Sequence, residues 1–213
     1  MPDEAAKLVA ALSGPEKVSF ALALYAGMRN MERLPLDWTD VDLVKARIRV
    51  LDSKSEAGIR SLPIAAPLMP VLKAEYLRQG RPSTGLVCRG PKGGAPDYDS
   101  MKKRAEKAWT KVGLKRIGFH ECRHTFITTM IHAGLNAKAV SVLAGHASID
   151  VTYDRYGHLF PGSEDEAATK LNAFYKGTGK PDWDDMGSKS RDELLRIVRA
   201  LSRDIEAYAA QGE

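Results

Sequence analysis

The sequence is poor in cysteine. Cys88 and Cys122 are its only two among 213 residues, and neither belongs to a C-x-x-C pair. Two such thiols cannot build a disulfide framework, and they point to a reduced, cytoplasmic setting. Long apolar runs are lacking as well. The longest, FALALYAGM, falls far short of the roughly 20 residues that a membrane span needs, so no membrane partner is expected. The N-terminus MPDEAAKL carries no signal-peptide pattern. No internal repeat, Walker phosphate loop or carboxylate metal cluster is evident.

What remains is ordinary for a globular chain: 44% hydrophobic and 28% charged residues. That is enough for one sizeable core with a small appendage. Lys+Arg 32 against Asp+Glu 27 gives +5 and a pI near 9.1. This mildly basic balance is compatible with a nucleic-acid surface but does not single one out.

SGPEKVSFALALYAG reads as a helix, with Ser13 placed to cap it, Pro15 in the first turn and Gly27 as the stop. NMERLPLDWTDVDL continues as a short helix broken near Pro35, then a polar turn. ARIRVLD alternates apolar and charged residues, and IRSLPIA returns as a second strand, so 46–65 reads as a hairpin. LMPVLKAEYLRQ is helical, and GLVCRG is a candidate third strand. YDSMKKRAEKAWTKVG forms a basic amphipathic helix, and further helices follow at 120–133 and 136–144. The fold class is therefore α+β, a mainly helical domain over 1–176 with a small antiparallel sheet. A Gly-, Pro-, Asp- and Ser-rich linker spans 177–189. A C-terminal helix over 190–213 follows, opened by the capping box Ser190 and Glu193. Its stripe of Leu194, Val198, Leu201, Ile205 and Tyr208 must pack on its own domain or on a neighbouring subunit.

GFHECRHTF contains a literal H-E-x-x-H, the signature of a zinc peptidase. The surroundings argue against that reading. No acidic residue lies between Thr125 and Ile149 to serve as third ligand, and Ile127 and Met130 occupy the positions of the longer zinc motif. Arg123, inside the motif, cannot shed its proton beside a cation. Its planar fork suits phosphate oxygens instead. Other residues have comparable settings. Arg29 follows a helix end at Ala26-Gly27, Lys54 sits at the hairpin tip, and His146 follows Ala144-Gly145, with Tyr156 beyond it.

Through AGMRNMERLPLDWTDVDL, SKSEAGIRSLPI, HECRHTFIT and LAGHASIDVTYDRYGHL, in that order, the chain resembles the tyrosine recombinase (phage integrase) family over residues 4–165. The resemblance implies a catalytic set of Arg29, Lys54, His120, Arg123, His146 and Tyr156. Tyr156 would attack a DNA phosphodiester, leaving a 3′-phosphotyrosyl link and a 5′-hydroxyl. Arg29 and Arg123 would clamp the phosphate, His120 and His146 would add hydrogen bonds, and Lys54 would protonate the leaving oxygen. Glu32 would buttress an arginine or cap locally. Tyr153, His124, His132 and His158 stay outside this set, and Trp38 is expected in the core. No cofactor and no metal are implied, since the covalent link conserves the bond energy.

The implied partner is double-stranded DNA at an attachment or core-type site, bound by a homotetramer that is weakly associated or monomeric without it. Readings as a type IB-like topoisomerase or a non-catalytic DNA-binding fragment share the same residues. VTYDRYGHLFPG is similar to integrases of actinobacteria and their phages, which tilts the reading to integration. PDEAAKLVAAL is similar to the catalytic domain's first helix, so the usual upstream clamp is missing and the chain is expected to be a fragment.

Overall fold

Helix α2, Gly14–Ala26, is almost wholly apolar beyond Glu16 and Lys17 of its first turn. Val18, Phe20 to Leu24 and Ala26 are all buried, as a helix apolar all round must be. Pro15 sits in its first turn, and Gly27 ends it in the left-handed conformation at φ 60°. The Ser13 side chain makes no capping bond. In the computed structural model, residues 2–51, 59–90, 93–160, 162, 164–177, 190, 192 and 193 are described.

Around α2 pack α1 (Pro2–Ala10), α4 (Met69–Arg78), α5 (Tyr98–Lys111) and α6 (Phe119–His132). The Phe20 ring stacks on Phe119 at 4.0 Å and meets Trp109 edge-on at 4.8 Å. Trp109 satisfies its buried indole by donating to Leu8 O at 2.9 Å. Trp38 is buried as expected and donates to Gln79 Oε1 at 3.0 Å. On α5 the apolar face is Met101, Ala105 and Trp109, while Lys103, Arg104 and Lys107 lie outside.

After α2 come the single-turn helix α3 (Asn30–Arg33), a 3-10 turn at Trp38–Asp40, and strands β1 (Val41–Asp42), β2 (Arg47–Val50) and β3 (Arg60–Pro63). They form a 3-stranded antiparallel sheet in the order β1-β2-β3. Ile48 faces Leu62, and Val50 faces Arg60. The third strand is thus Val41–Asp42, where the sequence reads as a polar turn. GLVCRG makes only the isolated bridge Asp37–Leu86. Val87 there donates to Leu36 O at 2.9 Å, but Gly90 turns back on Gly94 O at 2.8 Å, and no ladder continues.

Helices α7 (Ala137–Ala144) and α8 (Asp150–Tyr156), with a 3-10 turn at Gly157–Leu159, close the domain. Asn136 caps α7 by accepting from Ala139 N at 2.8 Å, and Gly145 ends it at φ 64°. A second apolar cluster of Ile127, Met130, Ile131, Val140, Ala144 and Tyr156 binds α6, α7 and α8 together.

The chain divides into two compact units, Met1–Phe160 and Pro161–Glu213. Helix α9, Glu164–Gly177, lies in the second. The linker beyond Gly177 lies outside the described residues, as does the Leu194 to Tyr208 stripe. Ser190 and Glu193 are described and form the capping box, with Ser190 N donating to Glu193 Oε2 at 2.9 Å. Among the described residues no helix is long and apolar enough to cross a membrane.

Candidate active site

The left-handed turn at Gly27 redirects the chain so that Arg29 becomes the N-cap residue of α3. Three positions on, Glu32 folds back and accepts from Arg29 N at 2.8 Å, satisfying an orphan amide of the helix start. Its carboxylate also accepts from Arg29 Nη1 at 3.0 Å and, in a fork, from Arg60 Nη1 and Nη2 at 2.9 and 3.1 Å. Burial alone would raise the Glu32 carboxyl. The Arg60 bonds and charge, with those of Arg29, outweigh it and hold the group below its ordinary value. Glu32 therefore both caps and buttresses.

Helix α7 ends against three guanidiniums. Arg60 Nε donates to Leu143 O at 2.9 Å, Arg123 Nη2 to Ala144 O, and Arg29 Nη2 to Gly145 O at 2.7 Å. The last carbonyls of a helix are orphan acceptors at the negative end of its dipole, so cations are held well there. Arg123 reaches this point from α6 and also donates to Gly27 O at 2.6 Å. Burial first, then the neighbouring charges of Arg29 and Arg60, lower the Arg123 guanidinium to about 10. At neutral pH it stays protonated, so among the described residues Arg29, Arg60 and Arg123 lie around the one carboxylate of Glu32. Such a surplus of positive charge suits an anion with several acceptor oxygens.

His146 follows directly on the α7 terminus. Its Nδ1 lies 2.8 Å from Thr152 Oγ1 on α8. Burial and the cations of Arg123, Arg29, Arg155 and Arg60 push its imidazole down to about 4, so at neutral pH it is uncharged.

Tyr156, at the end of α8, is 5% exposed. Its hydroxyl contacts His124 Nδ1 on α6, with the two rings 5.7 Å apart. Burial raises the phenol above its ordinary value, against the pull of Arg155 and Arg123. Tyr153, by contrast, is 53% exposed and packs on Phe160 at 5.9 Å.

The sequence model of the phage integrase family matches residues 1–162. The chain belongs to that family. A XerC-like tyrosine recombinase of Caldanaerobacter subterraneus subsp. tengcongensis is 29% identical over 208 residues, covering 81% of this chain and 53% of that protein. Among solved structures, the Tn1549 transposon integrase in complex with circular intermediate DNA is similar at TM-score 0.63 and 19% identity, covering 82% of this chain and 66% of that one. The catalytic domain of bacteriophage HP1 integrase is similar at TM-score 0.55 and 24% identity, covering 81% of this chain and 93% of that one. The chain spans about half the length of the relatives it matches. Its fold is the tyrosine recombinase catalytic fold.

Of the six residues that the integrase resemblance marks, Arg29, Arg123, His146 and Tyr156 lie around the C-terminus of α7 and the α8 helix beside it. His120 is exposed in the first turn of α6, one turn before His124. Lys54 lies outside the described residues. Glu121, the acid of the H-E-x-x-H string, is turned back onto Gly118 N as a helix cap. Sequence reasoning left His124 outside the catalytic set and did not single out Arg60. Arg60 left a signal: it shares the inward register of Leu62 in β3, where a buried arginine needs a partner.

Proposed function

We propose that this chain is the catalytic part of a site-specific DNA recombinase of the integrase type. Tyr156 Oη attacks a backbone phosphorus, forming a 3′-phosphotyrosyl bond as the P–O5′ bond breaks. Lys54 hands a proton to the departing 5′ oxygen. A 5′-hydroxyl from the partner duplex then reverses the step on the new strand. The bond energy stays in the covalent link, so the cycle needs neither ATP nor a metal.

The observation that carries this reading is that Arg29 and Arg123 hold the C-terminus of α7, His146 follows it directly, and Tyr156 packs with Ala144 from the adjoining α8. The transition state of the attack carries more charge on the non-bridging oxygens than the ground state does. Donors aimed there stabilise it selectively. Charge-assisted bonds are worth roughly 1.5–3 kcal/mol each, so losing either arginine slows the reaction by about 100-fold. The substrate is double-stranded DNA at an attachment or core-type site, and the working assembly is a homotetramer in the cytoplasm. A solved neighbour with a DNA complex supports the first of these.

The test is relaxation of a supercoiled plasmid in excess EDTA, comparing the wild type with Tyr156→Phe and Tyr153→Phe. Metal-independent relaxation abolished by Tyr156→Phe alone is the expected result. Activity that survives Tyr156→Phe, or vanishes only with Tyr153→Phe, overturns the assignment.

A further inference from the structure

The attack by Tyr156 releases a phenol proton, and the residues named so far give it no destination. Among the described residues two side chains meet the hydroxyl, Arg155 and His124. Arginine stays protonated and has no lone pair to offer, so it can only donate. His146 has its Nδ1 on Thr152. The contact from α6 to α8 leaves one group able to accept.

Resting on the reading of Tyr156 as nucleophile, we infer that His124 is a further catalytic residue, the base whose Nδ1 takes the Tyr156 proton. As the Oη–P bond forms and the P–O5′ bond breaks, the phenol proton moves to His124 Nδ1. The departing O5′ takes a separate proton from the general acid. In the rejoining step the attacking 5′-hydroxyl returns its proton to that acid, and His124 gives its proton back to Oη. Each half-reaction balances, and His124 ends as it began.

The surroundings hold His124 in the form that this task needs. His120, Glu121 and Arg123 face it from its own helix, and Arg155 and Tyr156 from α8. Burial first, then the charges of Arg155, His120 and Arg123 against the single carboxylate of Glu121, lower the imidazole below its ordinary value. That shift favours the uncharged ring, and with its hydrogen on Nε2 the ring offers the Nδ1 lone pair to the phenol. A merely structural histidine would need the contact but not the free lone pair.

Two measurements test the assignment. Imidazole nitrogen-15 shifts of the full chain, assigned with His124→Asn, should show Nδ1 without hydrogen at neutral pH and should move in Tyr156→Phe. Plasmid relaxation in EDTA should slow by about 100-fold or more in His124→Asn, whose amide keeps a hydrogen bond but cannot take a proton. The wild-type rate should rise with pH through the His124 titration and then level, whereas the variant's rate should climb with pH throughout. A hydrogen on Nδ1, no response to Tyr156→Phe, or a wild-type rate and pH profile in His124→Asn overturns the inference. If the wild type leaves the plasmid supercoiled, the nucleophile reading falls on its own. The nitrogen-15 signals still decide whether His124 accepts from Tyr156.

Discussion

Arg60 on β3 and Glu32 on α3 form a two-pronged ion pair at 2.9 and 3.1 Å, their side chains 3% and 2% exposed. The same carboxylate holds Arg29, and the same arginine holds Leu143 O at the end of α7. The pair thus ties sheet, turn and helix end into one support beneath the candidate phosphate site. Replacing a whole buried pair by apolar residues is often neutral, but removing one partner strands the other.

Arg60→Met should therefore destabilise the domain by about 3–5 kcal/mol, measured by urea unfolding. A paired Arg60→Met, Glu32→Leu variant should recover part of that loss. The paired variant should not recover the reaction rate, because Arg29 then loses its carboxylate support. The Glu32 carboxyl, held below its ordinary 4.5 by the arginine bonds, adds a pH signature. A depressed carboxylate contributes stability above its unfolded value, and that contribution disappears as the pH falls through the folded value. Glu32→Gln should flatten this acid limb of the unfolding curve.

How much of this was legible in the chain depends on where the partner sits. Gly27 and Gly145 mark helix ends, and Arg29 and His146 follow them closely, so local rules place both. Glu32 lies one turn from Arg29, and its capping role needs no tertiary knowledge. The Arg60 register could be read from alternation, but its carboxylate lies 28 residues away on another element. His124 was beyond reach. Nothing along α6 announces that Tyr156, 32 residues on, comes back to meet its Nδ1. The sheet failed at its smallest member, because the two residues of β1 are too few to show alternation.

Arg33 offers a test of the core. It is fully buried, and among the described residues its Nε, Nη1 and Nη2 have no hydrogen-bond partner. The guanidinium lies 3.5 Å over the Phe119 ring, and burial lowers it to about 10. A cation over an aromatic face recovers only part of what desolvation costs. Arg33→Met should raise stability by about 1–3 kcal/mol, since each unsatisfied buried polar group costs about that much. The readout is the thermal midpoint, with relaxation activity unchanged.

Gly27, at the end of α2, lies against the Phe126 ring of α6. A Cβ there would fall 2.2 Å from Phe126 Cδ1, on a backbone at φ +60°. Gly27→Ala must both strain the turn and displace the Phe126 ring, while Arg123 Nη1 is bonded to Gly27 O. The backbone alone costs about 1–3 kcal/mol. Gly134→Ala, at φ +83° with nothing within 4 Å, is the control for that part. Gly27→Ala should lower the melting temperature further than Gly134→Ala and slow relaxation, which the control should not.

His146 gives a second pH limb with its own sign. Burial and four arginines lower its imidazole from 6.5 to about 4. Between those values the unfolded chain binds the proton and the folded chain does not, so protonation favours unfolding there. Stability should rise as the pH climbs from about 4 to 6.5 and should gain nothing further from this group above that. His146→Asn should remove this slope while leaving the more acidic limb of Glu32 in place, as urea unfolding at stepped pH would show. An anion bound among the same arginines offsets their charge, so added sulfate should raise the His146 titration in the wild type, read by proton NMR. In Arg29→Ala, where one of those cations is gone, the starting value should already be higher and the sulfate shift smaller.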